Sequence, residues 1–184
     1  MASFGGSIKL TGESEYKKAL KNIQTGLKEV SSELKLVSAQ YSSNEKDISA
    51  ITSKNQELTN KIKEQKTAIQ DLKSQYSAME SQYKTQQSAT EKLQSEYDKE
   101  KAKLVELENT MGKGSKAYQE QADKVEKLGA ELAESKGKTE SMANAMSTMR
   151  TQINNAETSV VKAENSIEDM NTGLQETEKD AQTA

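Results

Sequence analysis

Numbered in sevens, with Leu20 at position a and Ile23 at position d, the chain keeps one frame from Leu20 to Leu174. Between Leu20 and Thr177 there are 36 residues of the types Val, Ile, Leu, Met, Phe or Tyr, and 33 of them fall on a or d. Random placement would put two sevenths, about 10, on those positions. Only Leu36, Val105 and Val161 lie off this seam, and Glu100 is the only charge on it. A disordered chain has no reason to hold one frame through about 22 heptads, when three or four suffice to identify a coiled coil. The stripe predicts an all-α fold in the form of a long, extended coiled coil. A strict seven-residue period falls short of two full helical turns, so the predicted supercoil is left-handed.

Composition agrees with a chain that buries a stripe and has no layered core. Val, Ile, Leu and Phe total 28 of 184 residues, below the ~20% that folded domains usually exceed. Mean hydropathy is -0.93. Ala, Glu, Lys, Leu and Arg supply 80 residues and Pro is absent, so nothing in the length forbids helix. The net charge of -3 is spread over 26 cations and 29 anions, unlike the clustered basic face of a nucleic-acid binder. Arg150 is the single Arg, which leaves almost no bidentate donors for phosphate or guanine. The opening Met1-Ala2-Ser3-Phe4-Gly5-Gly6-Ser7 has no basic or apolar run of the signal-peptide kind. No stretch approaches the ~18 apolar residues of a membrane span. The expectation is a soluble product of a cytoplasm, with no membrane partner in this segment.

Along the chain, Ser7 to Leu10 alternate polar and apolar, as in a short strand, within an extended segment over 1–12. Glu13 and Glu15 favour a helix start through the macrodipole. A first long coiled-coil helix is predicted over 13–111, a break over 112–115, a second helix over 116–180 and a frayed tail over 181–184. The break is carried by Gly112 and Gly114, which weaken a helix by about 2 kcal/mol relative to Ala, followed by Ser115 as a cap for a new one. It reads as a hairpin hinge or as a soft spot in a straight rod. Met111 to Tyr118 is one heptad, and this kept phase favours the extended rod. Gly129, Gly137 and Gly173 soften the second half.

The candidate oligomer seam comprises Leu20, Ile23, Leu27, Val30, Leu34, Val37, Tyr41, Ile48, Ile51, Leu58, Ile62, Ile69 and Leu72. Leu at a with Ile or Val at d leans towards more than two strands, while Asn55 at a, and Ile69 with Leu72, lean towards two. Small polar flanks tip the reading towards a homotrimer over a dimer. Counted as g-to-e pairs, Glu96–Lys101, Lys103–Glu108 and Glu131–Lys136 are favourable and Lys61–Lys66 is not. So charge does little here to choose a partner or an orientation.

Chemistry-bearing motifs are scarce. Without His or Cys there is no imidazole acid–base work, no His triad and no thiolate site. Ser and carboxylates abound, but a rod offers no water-excluding pocket to tune them. Gly137-Lys138-Thr139 resembles the end of a phosphate loop, yet Leu132 stands where that loop needs Gly. Tyr41, Tyr76, Tyr83, Tyr97 and Tyr118 all occupy a positions, so they read as seam packing and not as a base-stacking ladder. Met142, Met146 and Met149 are likewise seam residues. The expectation is a protein that is not an enzyme, with no cofactor, no metal, no small-molecule substrate and no specific nucleic acid.

One resemblance reaches beyond periodicity. Ser7-Ile8-Lys9-Leu10-Thr11-Gly12-Glu13-Ser14-Glu15-Tyr16-Lys17-Lys18-Ala19-Leu20 resembles the N-terminus of tape measure proteins from tailed phages of Gram-positive bacteria. Leu27-Lys28-Glu29 up to Tyr41, Asn44-Glu45-Lys46, and Lys54-Asn55-Gln56-Glu57-Leu58 look like that family's next stretches, and Gly114-Ser115-Lys116-Ala117-Tyr118 is similar to the break between its first two helices. The resemblance covers about residues 7 to 135. It implies a structural protein of the virion, lying as a helical oligomer in the lumen of the tail tube, setting tail length and touching tube and tail-assembly proteins. Family members are much longer, so it further implies the N-terminal part of a longer protein or a minimal relative, and the family's pore or hydrolase activities do not carry over. The competing expectation is a bacterial coiled-coil interaction or adaptor rod.

Overall fold

A computed structural model describes residues 10–42 and 48–183. The fold is all-α, with helices α1 (Glu13–Ser42), α2 (Ile48–Met111) and α3 (Lys116–Thr183). No strand occurs among the described residues. Of the strand expected over 7–10, residues 7–9 lie outside the described residues, and Leu10 is buried without strand structure. The first helix expected over 13–111 is instead two helices, α1 and α2, with 43–47 outside the description. The second helix extends past 180 to Thr183.

The helix ends follow from local chemistry. Gly12, at φ +90°, turns the chain into α1, and its carbonyl accepts the Tyr16 N–H at 2.9 Å. Glu13 and Glu15 place negative charge on the positive end of the helix dipole. At the other break, Gly112 adopts φ +78° and its N–H donates to the Glu108 carbonyl at 3.1 Å, the left-handed C-cap that only Gly takes without strain. Ser115 then caps α3: its Oγ accepts the Tyr118 N–H at 3.3 Å and donates to the Gly112 carbonyl at 2.9 Å.

The chain divides into two units. In the unit built on Ser77–Ser147, the end of α2 runs antiparallel to the start of α3. Thr90 meets Thr139, and Glu100 meets Lys124. The break at 112–115 is therefore a hairpin turn here, and not the soft spot of a straight rod. Magnitudes explain the outcome for a single chain. The Gly pair costs about 2 kcal/mol, whereas each large apolar side chain removed from water contributes about 1.5–3 kcal/mol. Val125, Leu128 and Leu132 are all buried by the folding back. Two helices cover only part of each stripe, so Leu93, Tyr97, Leu104, Leu107 and Tyr118 stay half-buried. Before α1, Thr11 is held in this unit by Gln82, which accepts its N–H at 3.0 Å and donates to its carbonyl at 3.2 Å.

The other unit, Gly12–Tyr76 with Thr148–Ala184, is a three-helix arrangement. The pairs Glu33–Lys61 and Gln40–Lys54 set α1 antiparallel to α2. Asn55–Asn171 and Lys73–Glu157 set α2 antiparallel to α3. Tyr16–Met149 and Tyr41–Thr177 set α1 parallel to α3. Its core interleaves Ile23, Val30 and Val37 with Leu58, Ile69 and Leu72 and with Met149, Ile153 and Val160.

Candidate functional site

The seam is the feature with functional potential, and its burial follows the heptad frame closely. Leu20, Ile23, Val30, Leu34, Val37, Ile51, Leu58, Ile62, Ile69 and Leu72 are buried, while Leu27, Tyr41 and Ile48 are half-buried. What covers them is this chain's own helices. Leu36, Val105 and Val161, the three residues off the frame, are exposed. Met111, the last residue of α2, is also exposed, at 62%.

The polar seam positions meet one another. Asn55 is 2% exposed, and its Nδ2 donates to Asn171 Oδ1 at 3.0 Å, while its own Oδ1 has no partner among the described residues. In the hairpin unit, Thr90 Oγ1 lies 2.8 Å from Thr139 Oγ1 and 2.7 Å from Ser135 Oγ, and Gln86 Nε2 donates to Ser135 Oγ at 2.9 Å. These four residues form one hydrogen-bonded layer across the hairpin. Glu100, 7% exposed, accepts from Gln121 Nε2 at 2.8 Å and pairs with Lys103 at 2.9 Å and Lys124 at 3.1 Å. The Gln121 hydrogen bond first, then the two ammonium groups, hold its carboxyl down at about 2. Such layers tolerate few alternative registers, since a slip would set a buried polar group against an apolar one.

Glycines inside helices serve the same packing. A Cβ at Gly173 would come within 2.7 Å of the Tyr41 hydroxyl, and one at Gly129 within 3.3 Å of the Tyr97 ring. A Cβ at Gly26 would overlap the Gln65 amide. Gly129 and Gly173, expected merely to soften the second half, leave room for seam tyrosines. Of the two hinge residues, Gly112 carries the left-handed turn, and Gly114 has open space around it.

Charge pairing follows the antiparallel geometry. Counting g against e suits parallel strands; antiparallel strands bring g to g and e to e. Lys61 and Glu33, both at g, pair at 2.7 Å. Lys66 meets Glu164 at 2.7 Å and Lys73 meets Glu157 at 2.8 Å, all four at e. The repulsion expected between Lys61 and Lys66 is thus replaced by two ion pairs. The Glu33 carboxylate also raises the Lys61 ammonium above the ordinary lysine range.

Two core residues escaped the sequence reading. Tyr16 is fully buried and its hydroxyl donates to the Met149 carbonyl at 2.8 Å; burial first, then Tyr76, pushes its phenol up to about 12. It stands one heptad before Ile23, so extending the d series backwards would have found it. Leu10 precedes the heptad frame, and its one signal is the two-residue alternation of Ser7 to Leu10. Among the described residues there is no cluster of His, Cys, Asp and Glu able to hold a metal ion, and no helix long and apolar enough to cross a membrane. No family model, curated protein or solved structure matches the chain.

Proposed function

We propose that this chain is a structural protein of a long phage tail, the N-terminal part of a tape measure protein that acts as length ruler and assembly scaffold inside the tail tube. The observation that carries the reading is the single heptad frame, kept in phase across Met111 to Tyr118. A chain destined only for a hairpin has no need of that phase, because the turn could be of any length. A chain that also straightens needs it, since only then does the stripe continue unbroken. In this reading the free chain closes its seam on itself, and in the tail the same a and d residues pack between copies. The assembled form is an extended left-handed coiled coil, a trimer in preference to a dimer. Opening exchanges one set of seam contacts for another, so tube and tail-assembly proteins need supply only the difference.

A helix converts residue count to distance at 1.5 Å per residue, whereas a flexible linker's span grows with the square root of its length. Deleting Ile62 to Ala89, four whole heptads, keeps the frame and is expected to shorten tails by roughly 42 Å. Deleting Ile62 to Gln87 removes nearly the same length but shifts the frame, and is expected to impair assembly. Tail lengths in phage carrying each deletion, measured by electron microscopy, test this. Tails of unchanged length from the in-frame deletion would refute the ruler. The seam closed within one chain would then favour the second reading, a self-contained helical interaction module.

A further inference from the structure

Within the three-helix unit, the parallel helices α1 and α3 leave a groove of about 710 Å³ between them. Leu27 and Leu34 line it on one side and Ala156 and Ala163 on the other; Leu27 is half-exposed, and the other three are each less than a tenth exposed. The mismatch of Leu against Ala is what leaves the space: two methyl-sized d residues cannot reach across to two leucines. The walls do not close it either. Position e of α1 is Gln24, Ser31 and Ser38, and position g of α3 is Gln152, Ser159 and Ser166, mostly side chains too short to fold over the floor. Leu27 consequently remains half-exposed although it sits at an a position.

The charged residues that line this groove are all lysines. Lys28 and Lys35 line it from α1 and Lys162 from α3, and no carboxylate among the described residues lines it. None of the three ammonium groups pairs with a carboxylate among the described residues. Position b of α1 is Lys in three successive heptads, Lys21, Lys28 and Lys35, so the row continues beyond the groove. Neighbouring grooves differ. The α2–α3 groove has Lys63 with Glu164 and Glu168, the α1–α2 recess has Lys54 with Glu33 and Glu57, and the hairpin unit's groove mixes Lys92 and Lys138 with Glu96 and Glu131.

We propose that the α1–α3 groove is a docking site for an amphipathic helix of another protein, one with an apolar stripe flanked by Asp and Glu. Its apolar residues at i, i+3, i+4 and i+7 would rest chiefly on the half-exposed Leu27, with the buried Leu34, Ala156 and Ala163 beneath, the helix-in-groove mode. Carboxylates one heptad apart would meet Lys28 and Lys35, with another on the far flank meeting Lys162. From Gln24 to Lys35 the wall is about 17 Å long, which accommodates three turns. The inference concerns the chain with its seam closed on itself and does not rest on the ruler reading.

The test uses the full chain and two fluorescently labelled synthetic helices of about 18 residues, long enough to hold helix in water. Both carry Leu at a and d; one has Glu on the flanks and its twin has Lys. Anisotropy titration is expected to give at least tenfold tighter binding of the acidic peptide, narrowing as salt screens the lysines. Replacing Lys28, Lys35 and Lys162 together with Glu is expected to reverse the preference. Ala163→Leu, which fills the floor without touching charge, is expected to weaken the acidic peptide at least tenfold while circular dichroism stays helical. Equal binding of the twins, no binding to a helical wild-type chain, or indifference to the charge reversal would each overturn the proposal. So would tighter binding of a DNA duplex than of the acidic peptide, which would assign the lysines to phosphates. Loss of peptide binding as the chain self-associates, with these same lysines required, would assign the groove to a second copy and overturn it too.

Discussion

Replacing Asn55 with Leu is expected to stabilise the three-helix unit, although it removes a hydrogen bond. Asn55 is 2% exposed at an a position, and its amide makes one 3.0 Å bond to Asn171 and leaves its Oδ1 without a partner among the described residues. A buried polar atom left unpaired costs about 1–3 kcal/mol, and a typical hydrogen bond contributes about 1 kcal/mol net. A Leu buried in that place contributes about 1.5–3 kcal/mol by leaving water, reduced by about 1 kcal/mol for adjusting the packing around a larger side chain. Asn171 is only half-buried, so water can take the place of its lost partner. The sum favours the variant by about 2 kcal/mol, which corresponds to a rise of about 4–8 °C in Tm for a chain of this size. Thermal and urea melts followed by circular dichroism, at two protein concentrations, measure it. Asn55→Asp supplies the opposite arm, placing an uncompensated charge in the core at neutral pH. It is expected to be destabilising at pH 7 and to recover towards pH 4 as the carboxyl takes up a proton. A Leu variant that melts below the wild type would refute the reasoning, because it would mean that the Asn55–Asn171 pair is worth more than a packed apolar layer.

Two further outcomes follow from buried ionisable groups. Glu100 is held at about 2 when folded, against about 4.3 for an unperturbed Glu, so its contribution is present above pH ~4.3 and is lost as pH falls through 2; the Tm gap between wild type and Glu100→Gln should be positive at pH 6 and shrink towards pH 2, and a constant gap would exclude this role. Tyr16 is pushed up to about 12, so the unfolded chain ionises first and the contribution of its phenol fades as pH rises from about 10 to 12. Tyr16→Phe should cost about 1 kcal/mol at neutral pH through the lost bond to Met149, and should lack that extra alkaline loss when melts of the two proteins are compared.

What the sequence made legible is the inside of the molecule. The heptad frame separates the buried Leu34 and Val37 from the exposed Leu36 between them, and it places Asn55, Thr90 and Glu100 on the seam before any coordinate is known. Periodicity reports which face of a helix is dry, because burial depends on the angle around the helix axis. It carries no record of what covers that face. Leu58 reads the same whether it packs on a second copy or on this chain's own helices. The division of 13–111 into α1 and α2 was equally out of reach, since no Pro or Gly stands between Ser42 and Ile48 and the phase from Tyr41 to Ile48 is unbroken. The Gly pair at 112–114 was visible, but it fits a hinge and a soft spot alike.

Helix direction, by contrast, is legible in the flanking charges when they are paired g with g and e with e. Taken in parallel, Lys61 faces Lys66 and the flanks look indifferent. Taken antiparallel, with g against g and e against e, Lys61 finds Glu33, Lys66 finds Glu164 and Lys73 finds Glu157. Lys66 and Lys73 are about half-exposed, so such pairs contribute only a few tenths of a kcal/mol each. Their value lies in discrimination: reversing a helix would separate these three pairs. The polar layers act in the same direction with more force, because Thr90, Ser135 and Thr139 satisfy each other only in this alignment. A seam of Leu, Ile and Val accepts any partner stripe. In this chain it is therefore the weak charges and the few polar residues that decide which stripes meet, and in what order.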